Sequence, residues 1–95
     1  MTVHAVVLIQ CEIDEIGEAA QAIAEIDGVS EVYSVAGEVD LVAIVRVAEH
    51  DDLAKVIPGG IAKVSGVERT ETLIAFQVYS RHDLERIFSI GFEGT

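Results

Sequence analysis

The sequence predicts an α+β sandwich in which a four-stranded antiparallel sheet carries two helices on one face. Three observations carry that prediction. The apolar patterns run strand, helix, strand, strand, helix, strand along the chain. A Gly-Val pair follows each predicted helix, at Gly28-Val29 and Gly66-Val67, giving a weak internal repeat of two βαβ halves. The run Leu41-Val42-Ala43-Ile44-Val45-Arg46-Val47-Ala48 is almost continuously apolar, whereas a strand with one face in water should alternate. Helices of the same chain can cover only one face of that strand. The other face calls for a second copy.

Each element has its own signal. Val3 to Cys11 is rich in Val and Ile and reads as a strand. Asp14 is a candidate N-cap, with Glu15 and Glu18 complementing the helix dipole behind it. Ile16, Ala19, Ala20, Ile23 and Ile26 recur at helical spacing, and Asp27-Gly28 ends the helix. Val29 to Ala36 is a second strand, which turns at Gly37-Glu38 into a third from Val39 to Ala48.

A second helix begins at Asp51-Asp52 with Leu53, Val56 and Ile57 on its buried side, and Pro58-Gly59-Gly60 should interrupt it. A helical turn resumes over Ile61 to Val64 before a fourth strand from Val67 to Tyr79. Ser80-Arg81-His82-Asp83 then reads as a capping box. It opens a short C-terminal helix with Leu84, Ile87, Phe88 and Ile90 on one side. Right-handed crossovers turn this order into a ferredoxin-like βαββαβ sandwich whose open, apolar sheet face pairs with that of a second chain.

Composition narrows the function classes. Ninety-five residues make one domain, and a hydrophobic fraction of 51% is more than so small a monomer readily hides. With 17 acidic and 6 basic residues the net charge is -11, which repels nucleic acid and anionic membranes alike. Five aromatic residues and no Trp give no platform for stacking bases. The one cysteine, Cys11, cannot build a disulfide framework or a thiolate zinc site and reads as a small core residue. The chain opens directly into a strand, with no leader and no bilayer-length apolar segment, so a cytoplasmic protein is the expectation.

Catalytic constellations are scarce. His4, His50 and His82 are dispersed without metal-ligand spacing, and there is no nucleophile elbow, phosphate loop or CxxC pair. No enzyme activity, cofactor or metal is expected. The turn from Gly37 to Asp40 is the better candidate. Glycine there can adopt positive φ and leave backbone N–H groups open to a carboxylate, and the Asp40 carboxylate can accept from an ammonium group. Thr70 and Thr72 share one face of the fourth strand and could add hydroxyls to the lining, with Glu71 on the other. The plainer alternative is that Gly37 and Asp40 only build a hairpin turn.

These residues carry a family resemblance. Gly28-Val29, then Val35-Ala36-Gly37-Glu38-Val39-Asp40-Leu41, then Ser65-Gly66-Val67 and Thr70-Glu71-Thr72 follow one another in order. Over almost the whole chain the sequence resembles the ligand-binding (RAM) domain of the Lrp/AsnC regulators. The ending Tyr79 to Glu85 is similar to that of stand-alone members without a helix-turn-helix domain. The RAM domain would span 1–80, with a C-terminal helix and tail at 81–95 in the same domain.

The resemblance implies sheet-to-sheet dimers assembling into larger rings, commonly octamers, that bind amino acids or similar small effectors in clefts between dimers. It puts Gly37 and Asp40 at that cleft, with Tyr33, Ser34, Thr70 and Thr72 as neighbours. Three features depart from the pattern. The DNA-binding domain is absent, so direct promoter binding is not expected; Leu41 stands where an aromatic is common; and Ser65 replaces a proline while Pro58-Gly59-Gly60 falls in what is normally continuous helix.

The expected function is an effector sensor in transcriptional regulation that does not itself touch DNA, with full-length Lrp/AsnC regulators as candidate partners. Two alternatives stand beside it. One is a small dimeric α/β-barrel enzyme, and the other a purely structural hetero-oligomerisation partner of those regulators.

Overall fold

The computed structural model describes residues 2–79 and Arg81. The expected C-terminal helix and its capping box lie outside those residues, Arg81 excepted.

β1 (Val3–Cys11) is buried at every second position: Ala5, Val7, Ile9 and Cys11 face the core, while His4, Val6, Leu8 and Gln10 lie on the other face. That period-two pattern is what a pleated strand between two unlike environments produces. α1 (Ile16–Ala24) follows a 3-10 turn over Ile13–Glu15 and lays Ala19 and Ile23 into the core. The expected cap at Asp14 falls inside that turn, and the helix starts two residues later without a side-chain cap. Glu12 donates its N–H across the fold to the Gly66 carbonyl at 2.8 Å, and the Glu15 N–H bonds back to the Glu12 carbonyl, so the chain tightens before it becomes α-helical.

β2 (Val29–Ser34) pairs antiparallel with β3 (Leu41–Val47), β3 with β1, and β1 with β4 (Val67–Ile74). The spatial order is β2-β3-β1-β4, the sheet that two βαβ halves make. β2 and β3 are shorter than their apolar patterns suggested, because Val35 to Asp40 leave the ladder as a turn closed by the Val35 N–H on the Asp40 carbonyl at 3.0 Å. β4 stops at Ile74 rather than at Tyr79 for a different reason. Its neighbour β1 begins at Val3, and the last bond, from Ala75 N–H to the His4 carbonyl, uses up the partner strand.

α2 (Asp52–Val56) is brief. Past Val56 the chain runs through Ile57 and Pro58-Gly59-Gly60 into a 3-10 turn, Ile61–Lys63, shorter than the Ile61 to Val64 turn expected. Leu53, Val56, Ile57 and Ile61 are all buried, so both pieces of the broken helix still pack on the sheet. A Cβ on Gly59 would stand 2.6 Å from the Lys55 carbonyl oxygen, which is why the interruption is built from glycine.

Gly28 shows the same economy at the start of β2. Its φ is +100°, and a Cβ there would stand 2.7 Å from Val56 Cγ2 and 3.1 Å from Val47 Cγ1. The Gly-Val pair is therefore the place where the α1–β2 connection passes under α2. Gly66, in the equivalent place before β4, repeats the positive φ at +93°.

The core lies entirely between helices and sheet. Ala5, Val7, Ile9, Leu41, Ala43 and Val45 meet Ala19, Ile23, Leu53 and Ile61, and no polar side chain is buried among the described residues. The opposite sheet face carries Val6, Leu8, Val42, Ile44, Leu73 and Tyr33, with the last two about half exposed, and no element of the described chain covers it.

Candidate functional site

The β2–β3 turn sits at the end of the sheet where β1 finishes, and backbone geometry fixes it there. Asp40 is held three ways. Its N–H donates to the Ile9 carbonyl at 2.9 Å, its carbonyl accepts from Val35, and its Oδ2 accepts from the Cys11 N–H at 2.9 Å. Gln10 adds a fourth tie, its side-chain amide donating to the Glu38 carbonyl at 3.0 Å. Gly37 has φ +144°, and a Cβ there would meet nothing within 4 Å. Backbone conformation rather than crowding selects glycine at this position, and the turn is open on that side.

Beside the turn lies a cavity of about 150 Å³ lined by Leu8, Gln10, Glu38, Val39, Arg69 and Glu71. Strand register explains the lining. Gln10 is opposite Arg69 and Leu8 opposite Glu71, so these four side chains stand on the open face of the sheet. Neither Arg69 nor Glu71 forms an ion pair among the described residues.

The predicted site residues fall into three places. Gly37 and Asp40 form the turn. Tyr33, opposite Val42, is on the open face, where its hydroxyl donates to the Glu31 carboxylate. That hydrogen bond, with the Glu31 charge behind it, pushes the Tyr33 pKa above its usual value. Ser34, Thr70 and Thr72 are opposite Leu41, Ile9 and Val7, and so stand on the helix-side face. Thr70 and Thr72 thus lie across the sheet from the cavity at the turn. Sequence reading missed Arg69 and Gln10 as its lining. The available signal was the strict alternation Arg69, Thr70, Glu71, Thr72, which puts polar groups on both faces of one strand.

A larger and more open hollow, about 320 Å³, lies at the other end of β3 between Asp27-Gly28 and α2. Its cations are already engaged: Lys55 pairs with Asp52 and Arg46 with Glu31, each at 3.9 Å. Cys11 is buried and free, and burial first, then Asp40, Glu68 and Glu15, push its thiol pKa up. Among the described residues no group of three or more His, Cys, Asp or Glu could hold a metal ion, and no helix is long and apolar enough to cross a membrane.

The described residues thus form a βαββαβ sheet with an open face and a pinned, glycine-bearing turn beside a small polar cavity. The profile of the Lrp/AsnC ligand binding domain matches residues 4–84, and the chain belongs to that family. A solved protein of Thermus thermophilus, TTHA0845, is 47% identical and superposes with a TM-score of 0.79 over 83% of this chain and 99% of its own. The feast or famine regulatory protein of M. tuberculosis, solved in complex with L-methionine, is 31% identical with a TM-score of 0.69, over 83% of this chain and 54% of its own. An uncharacterized HTH-type transcriptional regulator of Pyrococcus furiosus is 39% identical over 59 residues, 62% of this chain. The chain spans only 39% of that regulator's length.

Proposed function

We propose that this domain is an oligomeric sensor for an amino acid or similar small effector, acting in transcriptional regulation without touching DNA itself. The observation that carries the reading is the Gly37–Asp40 turn, fixed to the ends of β1 and β3 and bordering a polar cavity, in a domain of the Lrp/AsnC family. The M. tuberculosis relative complexed with L-methionine supports an amino acid as the ligand class. A net charge of -11 opposes contact between this domain and nucleic acid, so a DNA-binding relative would carry the signal.

In this reading Gly37 and Asp40 position the effector, and the apolar sheet face is covered by a second copy, with dimers assembling further. Tyr33 and Ser34 border the turn on β2, while Thr70 and Thr72, on the helix-side face, contribute only where another dimer supplies the rest of the cleft. The enzyme alternative gains no support from the interior, which is packed with aliphatic side chains.

The test is a thermal-shift screen of the standard amino acids at millimolar concentration, read together with solution mass. Stabilisation by one or a few amino acids, in a species larger than a monomer, is the expected result. No stabilisation by any of them overturns sensing and leaves a structural partner of full-length regulators.

A further inference from the structure

We propose that the hollow beside Gly28 and α2 is the docking site of this chain's own C-terminal segment, Leu84 to Phe92, which packs over the end of the sheet that the short α2 leaves bare.

Three observations locate a gap in the helix layer. α1 has nine residues and α2 only five, and Pro58-Gly59-Gly60 follows close behind α2. A hollow of about 320 Å³ remains at that end of β3, with Gly28, Val47, Ala48 and Val56 in its wall. Ile74 marks the same gap from the far edge of the sheet. It is opposite Ala5 and so lies on the helix-side face, yet it is 47% exposed. Val3, opposite Val47, stands between the two edges and is only half-buried. Apolar side chains on the core-bearing face contribute stability only when something covers them.

The chain itself delivers a cover to this place. The last bond of β4 runs from the Ala75 N–H to the His4 carbonyl, and Ala75 to Val78 pass beside Thr2 and His4. That is the end of the sheet where β3 reaches Val47. Two strand spacings, about 10 Å, separate β4 from β3. Residues 76–83 reach up to ~26 Å when extended, so the connection is long enough.

The segment has the chemistry of a cover. Leu84, Ile87 and Phe88 recur at helical spacing with Glu85 and Arg86 between them, and Ile90 and Phe92 follow. Seven residues of helix are about 10 Å long, which matches the width from β4 to β3. The family profile ends at residue 84. The T. thermophilus relative is covered over 99% of its length by 83% of this chain. The segment is thus an addition to the shared domain, and the gap beside α2 is where an apolar addition fits. The opposite sheet face goes to a second copy in the proposed assembly, which leaves the helix side.

Cross-linking on the full chain tests this. In a Cys11→Ala background, Lys55→Cys at the rim of the hollow and Arg86→Cys on the segment provide a thiol pair for a short bis-maleimide. The expected product is a link within one chain, read by mass under denaturing conditions. Adding Ile87→Asp with Phe88→Asp should abolish that link. The same pair of changes, in the wild-type background, should speed amide exchange over Val47 to Val56, whereas Glu85→Gln should leave it unchanged. A link between two chains overturns the proposal, because the segment then docks on another copy. So does the absence of any link, or a link and an exchange rate that Ile87→Asp with Phe88→Asp leave as they were.

Discussion

The Asp40 carboxylate accepts a hydrogen bond from the Cys11 N–H at 2.9 Å and so ties the β2–β3 turn to the last residue of β1. The bond forms where β1 loses its regular register, between Gln10 and Cys11, and gives the Cys11 N–H an acceptor beyond the regular ladder. A side chain that looks like a ligand group in the sequence is thereby also a structural clamp. Its two roles can be separated by choice of substitution.

Asp40→Ala removes the acceptor and should cost about 1–3 kcal/mol, the range for a hydrogen bond to a charged, partly buried group. Asp40→Asn keeps a carbonyl oxygen and should cost less. Urea unfolding of both variants measures the difference. An effector-binding defect shared by both is a direct effect of the lost charge, whereas one confined to Asp40→Ala follows from the loosened turn.

The Cys11 thiol should be unreactive in the folded protein. Burial, reinforced by Asp40, Glu68 and Glu15, raises its pKa, so little thiolate is present at neutral pH. The folded state holds the thiol proton more tightly than the unfolded chain. Its contribution to stability is complete below the unfolded thiol pKa and is lost as pH rises through the folded value. Stability should therefore fall on the alkaline side more steeply in wild type than in Cys11→Ala. Iodoacetamide labelling should be slow until denaturant opens the sheet.

Gly28 and Gly17 should respond to alanine in opposite directions. At Gly28 the positive φ and the 2.7 Å approach of Val56 Cγ2 penalise any side chain, and Gly28→Ala should cost roughly 1–3 kcal/mol. Gly17 lies in the first turn of α1, where an added methyl would meet nothing within 4 Å. There alanine should stabilise by about 0.5–1 kcal/mol through helix propensity. Thermal melts of the two variants should move to either side of wild type.

Val42 stands in the middle of the open sheet face, opposite Leu8 on β1 and Tyr33 on β2. If that face is the contact between copies, Val42→Glu places charge in the contact and should lower the solution mass to that of a monomer. The helix-side core is on the other face, so the far-UV spectrum should be unchanged. A wild-type mass in this variant would rule out assembly through the sheet.

Much of this was legible along the chain. The number and order of the strands and of the two helices followed from periodicity, because burial on one face writes itself into residues two or four apart, whereas the 3-10 turn over Ile13–Glu15 did not. The helix break at Pro58-Gly59-Gly60 and the Gly-Val starts of β2 and β4 were local backbone demands, and those too are carried by residue type. The end of β4 was not legible, since apolar residues continue to Tyr79 and only the length of β1 stops the ladder. The candidate site divided in the same way. Gly37 and Asp40 were visible as a turn signature, whereas Arg69 entered only when the register set it opposite Gln10.

The sequence by itself determined a βαββαβ sandwich with one sheet face left apolar, and it marked the Gly37–Asp40 turn as the place where polar chemistry gathers. Only the tertiary structure decided which side chains meet there. Face and partner depend on how strands slide past one another, and a shift of one residue would have exchanged Arg69 and Glu71 for Thr70 and Thr72. The same through-space pairing gave the Asp40 carboxylate to Cys11, 29 residues away in the chain, a contact no local pattern encodes.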